Sequence, residues 1–287
     1  MKLELFNEAY FIYISIFFIC LFGGLFLLKG KSNAFKTRFI SSLLFFSLIV
    51  HFLKLLFPPY NTDELALRKI TPENICALST LIFPFIFLSQ NKVLKDYMFY
   101  IGVLSGTLAC FFPLEAIGKN AFEFDAIRFY ICHIIITVAP FLMVANGLHK
   151  LDYHRVYKVP ICFIIVFCII LINEIILLEV GLVIYDPKVS GYRNFSMVFG
   201  INHYANETIE NILTFFTPDF LLRIPFGVNA GQKKYWPVLW AVLPMFVYIT
   251  LLSFLLSIYW EKDHIKEDLM SIKKYFKYVL NRSKVNK

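Results

Sequence analysis

The chain has 287 residues, of which 59% are hydrophobic and 17% charged, and its mean hydropathy is +0.67. A soluble domain carries about 25% charged and under about 50% apolar residues, so most of this chain is built for lipid rather than water. The net charge of +8 is spread over the joins between apolar runs and the end of the chain rather than over one compact face, which excludes a nucleic-acid partner.

Crossing about 30 Å of hydrocarbon takes about 20 apolar residues. Seven such runs lie near residues 10–28, 38–57, 71–89, 97–114, 126–147, 159–182 and 236–260. The first follows Lys2, Glu4 and Glu8 and lacks a small-x-small cleavage site, so it is expected to remain as a helix rather than serve as a signal peptide. The fourth is interrupted by Gly102, Gly106 and Pro113; small residues of this kind let membrane helices approach closely. The join between Val183 and Tyr235 is too long to be structureless. Within it Ile209, Ile212, Leu213 and Phe216 repeat at helical spacing among polar residues, up to Thr217-Pro218. That pattern fits an amphipathic helix lying on the membrane, or a partly buried loop helix. After Glu261, the residues Ile265, Leu269, Ile272, Phe276 and Val279 share one face, and from Lys273 onward six residues are basic and none acidic. This predicts an interfacial helix on anionic lipid head groups. The expected architecture is an all-α membrane protein: a bundle of about seven transmembrane helices over residues 1–260, an interfacial helix in the last long loop, and a basic amphipathic tail over 261–287.

Most of the 28 Lys and Arg residues fall in the joins after the first, third and fifth runs and in the tail. The positive-inside rule puts that side in the cytoplasm, giving a multi-pass cell-membrane protein with its amino terminus outside. The six cysteines stand singly inside apolar runs, as packed thiols do, and show neither disulfide nor metal-ligand spacing. A phosphate loop, a His-Glu-x-x-His pair and a Gly-x-Ser-x-Gly elbow are all missing, which argues against an ATPase, a zinc protease and an α/β-hydrolase; no metal or cofactor is implied.

Ionisable groups inside a bilayer cost several kcal/mol unless they pair or face a cavity. In this chain they are His51, Lys54, Glu73, Glu115, Arg128, His133, Glu174 and Glu179, with the amides Asn74 and Asn173 beside them. At about 1.5 Å per residue, His133 lies about 10 Å, Glu174 about 12 Å and His51 about 9 Å below the outer boundary, with Glu73 and Asn74 near the surface. All therefore fall in the outer half, which predicts one shared polar cavity. Each has a plainer reading as well. Lys54 and Arg128 can snorkel, Glu115 and Glu179 can be solvated, Asn173 can bond a neighbouring helix, and His133 can bond a backbone carbonyl. His51 and Lys54 share one helix face, within reach of Glu174 or Glu73.

The third run opens Thr71-Pro72-Glu73-Asn74-Ile75-Cys76-Ala77-Leu78, and the fifth holds Arg128-Phe129-Tyr130-Ile131-Cys132-His133 followed by Val138-Ala139-Pro140. These stretches resemble the two signatures of the YwaF-like bacterial integral membrane proteins, and Asn173 and Asn202-His203-Tyr204 add to the likeness. That family is related to transmembrane protein 164, an ether-phospholipid acyltransferase, and to the androgen-induced hydrolases of fatty-acid esters of hydroxy fatty acids. The resemblance implies intramembrane acyl chemistry with His133 as the histidine and Cys76 matching the bacterial cysteine. Glu73 stands where the acyltransferase has its cysteine, Asn74 where the bacterial proteins have His or Gln, and Asp125 where an Arg is usual, with Arg128 nearer the histidine.

The leading functional expectation is a lipid acyltransferase or acyl-ester hydrolase. His133 would be the general base and Cys76 or Glu73 the nucleophile, or Glu73 would orient His133; Asn74 or Asn173 would donate to the oxyanion. His51, Lys54, Arg128 and Glu174 would help bind substrate, and membrane lipids are the expected partners. The alternative is a non-catalytic binder or transporter of a small polar or lipidic ligand using the same cavity. A structural subunit of a larger assembly is a third reading. The lack of an inverted repeat disfavours a secondary transporter.

Overall fold

The computed structural model describes residues 1–182 and 239–285, and the helix expected around residues 209–216 lies outside them. The described residues form seven α-helices: α1 (Glu8–Leu28), α2 (Asn33–Leu53), α3 (Ile75–Leu88), α4 (Lys92–Phe111), α5 (Phe124–Ala145), α6 (Lys158–Glu179) and α7 (Leu239–Val285). They make an all-α membrane bundle. The segments Glu8–Leu28, Asn33–Leu56 and Phe124–Ala145 are long and apolar enough to cross a bilayer by themselves. α7 carries a break at Glu261, where φ is −126° and ψ is 20°.

The helices start at their caps rather than where apolar residues begin. The Ser32 hydroxyl accepts from Phe35 N ahead of Lys36 and Arg38, so α2 begins before its apolar run. Asn91 accepts from Val93 and Leu94 N ahead of Lys92, Lys95 and Asp96, which starts α4 early in the same way. α3 moves in the opposite direction. Asn74 is extended (φ −151°, ψ 174°), and its side chain accepts from Ala77 N at 2.7 Å, so the helix begins at Ile75 and not at Thr71. With 14 residues α3 rises only about 21 Å, short of the hydrocarbon thickness. The chain before it folds instead into short 3₁₀ turns at Lys54–Leu56, Tyr60–Thr62 and Ala66–Ile70. Backbone of this kind is tolerated at membrane depth only where protein covers it or it lines a polar cavity.

α5 is the central helix: 72% of its apolar window is buried, against 22% for α1 and 33% for α2. α1 turns Ile19, Phe22 and Phe26 outward, as a lipid-facing helix does. α5 packs most extensively on α4, through the pair Gly102 and Gly106. A Cβ on Gly102 would lie 2.7 Å from the Ile136 carbonyl, and one on Gly106 would overlap the Thr137 hydroxyl and lie 2.8 Å from the His133 carbonyl. Backbone cannot yield as a side-chain tip can. Gly106→Ala is therefore expected to push α4 off α5 and to destabilise the protein by about 1–3 kcal/mol. An unchanged thermal midpoint in detergent would contradict that packing.

At one end of the bundle the first residues pair with the α4–α5 join: Leu3 N donates to Lys119 O, and Gly118 N to Leu3 O, each at 2.8 Å. The end of α6 meets the α2–α3 join there, Asn173 Nδ2 donating to Thr71 Oγ1 at 3.0 Å. At the other end, buried Asp96 accepts from Arg155 Nε at 2.6 Å and lies 2.7 Å from His149 Nε2. Trp260 of α7 packs there against Phe99 and Phe141. The chain thus runs back and forth between two ends with distinct chemistry.

Candidate functional site

The end of α2, the α2–α3 and α4–α5 joins and the starts of α3 and α5 surround a cavity of about 250 Å³ at the end of the bundle that holds the amino terminus. α2 and its 3₁₀ extension supply His51 and Lys54; the α2–α3 join supplies Tyr60, Lys69, Glu73 and Asn74; α3 supplies Cys76, Ala77 and Thr80. Glu115 and Lys119 come from the α4–α5 join, and Arg128, Phe129, Cys132, His133 and Ile136 from α5. Because α3 starts only at Ile75, Glu73 and Asn74 stand in non-helical backbone and line the cavity.

Four cations line the cavity (Lys54, Lys69, Lys119 and Arg128), against the two carboxylates Glu73 and Glu115. Glu73 is paired with Lys69 at 3.4 Å. Asp125 holds the cationic wall in place: Oδ1 accepts from the Tyr60 hydroxyl at 2.5 Å and from Arg128 Nη2 at 2.8 Å, while Oδ2 accepts from Lys119 at 2.5 Å. Lys54 and Arg128 each lie 5.8 Å from the centroid of the Tyr60 ring, in cation–π range. Burial pushes the Tyr60 phenol above its ordinary pKa against the opposing pull of Arg128, so it remains a neutral donor to Asp125. The N-terminal end of α3 adds the partial positive charge of its helix dipole. Counting Asp125, the four cations face three carboxylates, an excess of one positive charge.

His133 is buried, and its Nδ1 lies 2.7 Å from Phe129 O. A carbonyl only accepts, so Nδ1 carries the proton and Nε2 keeps the lone pair. The Phe129 ring, with its centroid 4.2 Å away, packs against the imidazole and limits its rotation. His51 is fixed the other way round, its Nε2 donating to Ile70 O at 3.2 Å.

Of the residues singled out in the sequence, His51, Lys54, Glu73, Asn74, Cys76, Glu115, Arg128 and His133 line this one cavity. Asn173 and Glu174 do not line it. Asn173 bonds Thr71 in the way a membrane helix uses an amide to hold a neighbour, and Glu174 is buried on α6. The partner of His51 is the Ile70 carbonyl, not Glu174 or Glu73. Lys54 and Arg128 turn inward, not toward the interface. Glu115 is exposed, at the mouth. Sequence reading passed over Tyr60, Lys69 and Lys119, which sit in joins where charge reads as solvated, and it took Cys132 for an ordinary packed thiol.

No curated protein and no solved structure matches the chain. Residues 5–261, from just before α1 to the break in α7, match the TMEM164 family. With that match spanning nearly the whole chain, the protein belongs to the TMEM164 family.

Proposed function

We propose that the cavity binds the anionic head of an acylated lipid and that His133 acts there as general base for acyl transfer or acyl-ester hydrolysis. The observation that carries this reading is the sharing of one cationic cavity by His133, whose Nε2 keeps its lone pair, and by Cys76 in the first turn of α3. In such a step the Cys76 sulfur attacks the ester carbonyl while Nε2 takes the thiol proton. The oxyanion gathers donors from the α3 N-terminus and the Asn74 amide, a single donor of this kind being worth about 3 kcal/mol. The tetrahedral intermediate collapses to a thioester, and the imidazolium returns its proton to the departing alcohol. A lipid hydroxyl or water, deprotonated by His133, then attacks the thioester and frees Cys76. Glu73 is the weaker nucleophile because Lys69 holds its carboxylate.

The cationic lining by itself also suits a non-catalytic binder of the same anionic ligands. Incubating the purified protein with a panel of acylated phospholipids and an acyl-donor probe separates the two readings. Turnover, with a thioester mapped to Cys76 and absent in Cys76→Ala, is the expected result. A wild type that retains lipid but shows neither turnover nor adduct removes the enzyme and keeps the binder.

We further infer that all seven helices cross the cell membrane, that the cavity lies toward the outside, and that the tail rests on anionic lipid at the cytoplasmic face. The orientation is supported by the excess of Lys and Arg in the joins after α1, α3 and α5 and in the tail, and the crossings by the apolar run at each helix, with the non-helical join before α3 making up its length. A reporter fused after Lys287 is expected to be active only in the cytoplasm, and external activity would reverse the orientation.

A further inference from the structure

Far from the cavity, the α5–α6 join meets the first turns of α7 beyond the Glu261 break. His154, His264 and Asp268 each present one ligand atom there, all within 4.8 Å of one another. His154 Nδ1 lies 3.0 Å from Asp152 Oδ1, within hydrogen-bond range, and His264 Nδ1 faces Glu261 Oε2 at 3.6 Å, beyond that range. Each ring turns Nε2 toward the same atom, Asp268 Oδ2, at 3.4 Å and 4.0 Å. These separations are longer than the N–H···O range of about 2.7–3.2 Å. The shorter equals the edge of about 3.4 Å between ligands held at about 2.1 Å around a tetrahedral ion, and the longer exceeds it by about 0.6 Å. A carboxylate hydrogen-bonded behind an imidazole, as Asp152 is behind His154, is the usual means of fixing a metal-binding histidine, because it sets the tautomer and leaves Nε2 free to bind.

We propose that His154 Nε2, His264 Nε2 and Asp268 form a site for a divalent transition-metal ion of the zinc type, with water completing the shell. The ion joins the α5–α6 join to the tail and fixes the direction in which α7 leaves the bundle. Tyr153 supports the site: its backbone N–H donates to Glu261 at 3.1 Å, its hydroxyl donates to Asp268, and its ring packs on that of His154 with centroids 4.1 Å apart. His154 and His264 lie far apart in the chain, so no ligand spacing announces them in the sequence. Two imidazoles and a carboxylate suit Zn²⁺ or Co²⁺ better than Ca²⁺ or Mg²⁺, which take oxygen ligands.

The test uses the full chain, purified in detergent without a histidine tag and stripped of metal, then titrated with Zn²⁺ and with Co²⁺. One equivalent of Zn²⁺ is expected, along with a visible Co²⁺ band of tetrahedral type and slower trypsin cleavage of the tail when metal is present. His154→Ala and His264→Ala are each expected to weaken binding at least about 10-fold, and the double variant to abolish both the equivalent and the tail protection. Both side chains are about half exposed, so these variants keep the fold. Absence of a bound equivalent, an equivalent that survives in the double variant, or stronger binding of Ca²⁺ would each overturn the proposal.

Discussion

Replacing His133 with Asn is expected to lower acyl turnover by about 10²–10⁴-fold while leaving the protein folded. The asymmetry comes from the two ring nitrogens. Nδ1–H is a structural donor to Phe129 O at 2.7 Å, and the Asn side-chain amide can reproduce that bond. Nothing in Asn replaces the lone pair at Nε2, which the proposed chemistry needs for taking and returning the thiol proton. His133→Ala loses both functions, and its buried site against Phe129 would also be left underfilled, so the Asn variant is the cleaner probe. Rates of acyl release and thermal midpoints should be measured side by side. A His133→Asn protein that folds and turns over lipid like the wild type would remove His133 from the chemistry. A loss of activity that merely tracks a lost midpoint would assign it a packing role.

Asp125→Ala is expected to cost about 3–5 kcal/mol of stability, because it strips the carboxylate from a buried cation. The side chains of Asp125 and Arg128 are 6% and 13% exposed, so water cannot readily replace the lost partner. Lys119, at 42% exposed, is solvated without Asp125 and adds little to the cost. Most of the loss therefore comes from Arg128 and the Tyr60 hydroxyl, and removing the stranded charge should recover part of it. The double variant Asp125→Ala/Arg128→Met is expected to be more stable than the sum of its single changes by about 0.5–3 kcal/mol. Chemical denaturation in mixed micelles would show this. Additive effects, or a single Asp125→Ala effect below about 0.5 kcal/mol, would mean that the network does not hold the cavity wall together.

The sequence by itself determined the class of the protein and the rough place of its helices, because the solvation cost of apolar and ionisable groups is paid residue by residue. Runs of Ile, Leu and Phe have to be in lipid or core, and His51, Lys54, Arg128 and His133 cannot be left in hydrocarbon, so a shared polar space for them is expected from the residues alone. The motif around Cys76 and His133 was equally legible, and it pointed to the family that residues 5–261 match. Helix ends were less so. Capping by Ser32, Asn74 and Asn91 depends on one side chain bonding one backbone N–H, and hydropathy does not report such a bond. The tertiary structure alone decided which polar residues share a space. Rotation about a helix axis is set by close packing, here by Gly102 and Gly106 letting α4 settle against α5, and it turns His133 into the cavity while Asn173 is drawn to Thr71. Joins are further from prediction still. Tyr60, Lys69 and Lys119 reach the cavity, and His154 reaches His264 and Asp268, because the chain folds back on itself, a long-range event for which local sequence carries no period or spacing.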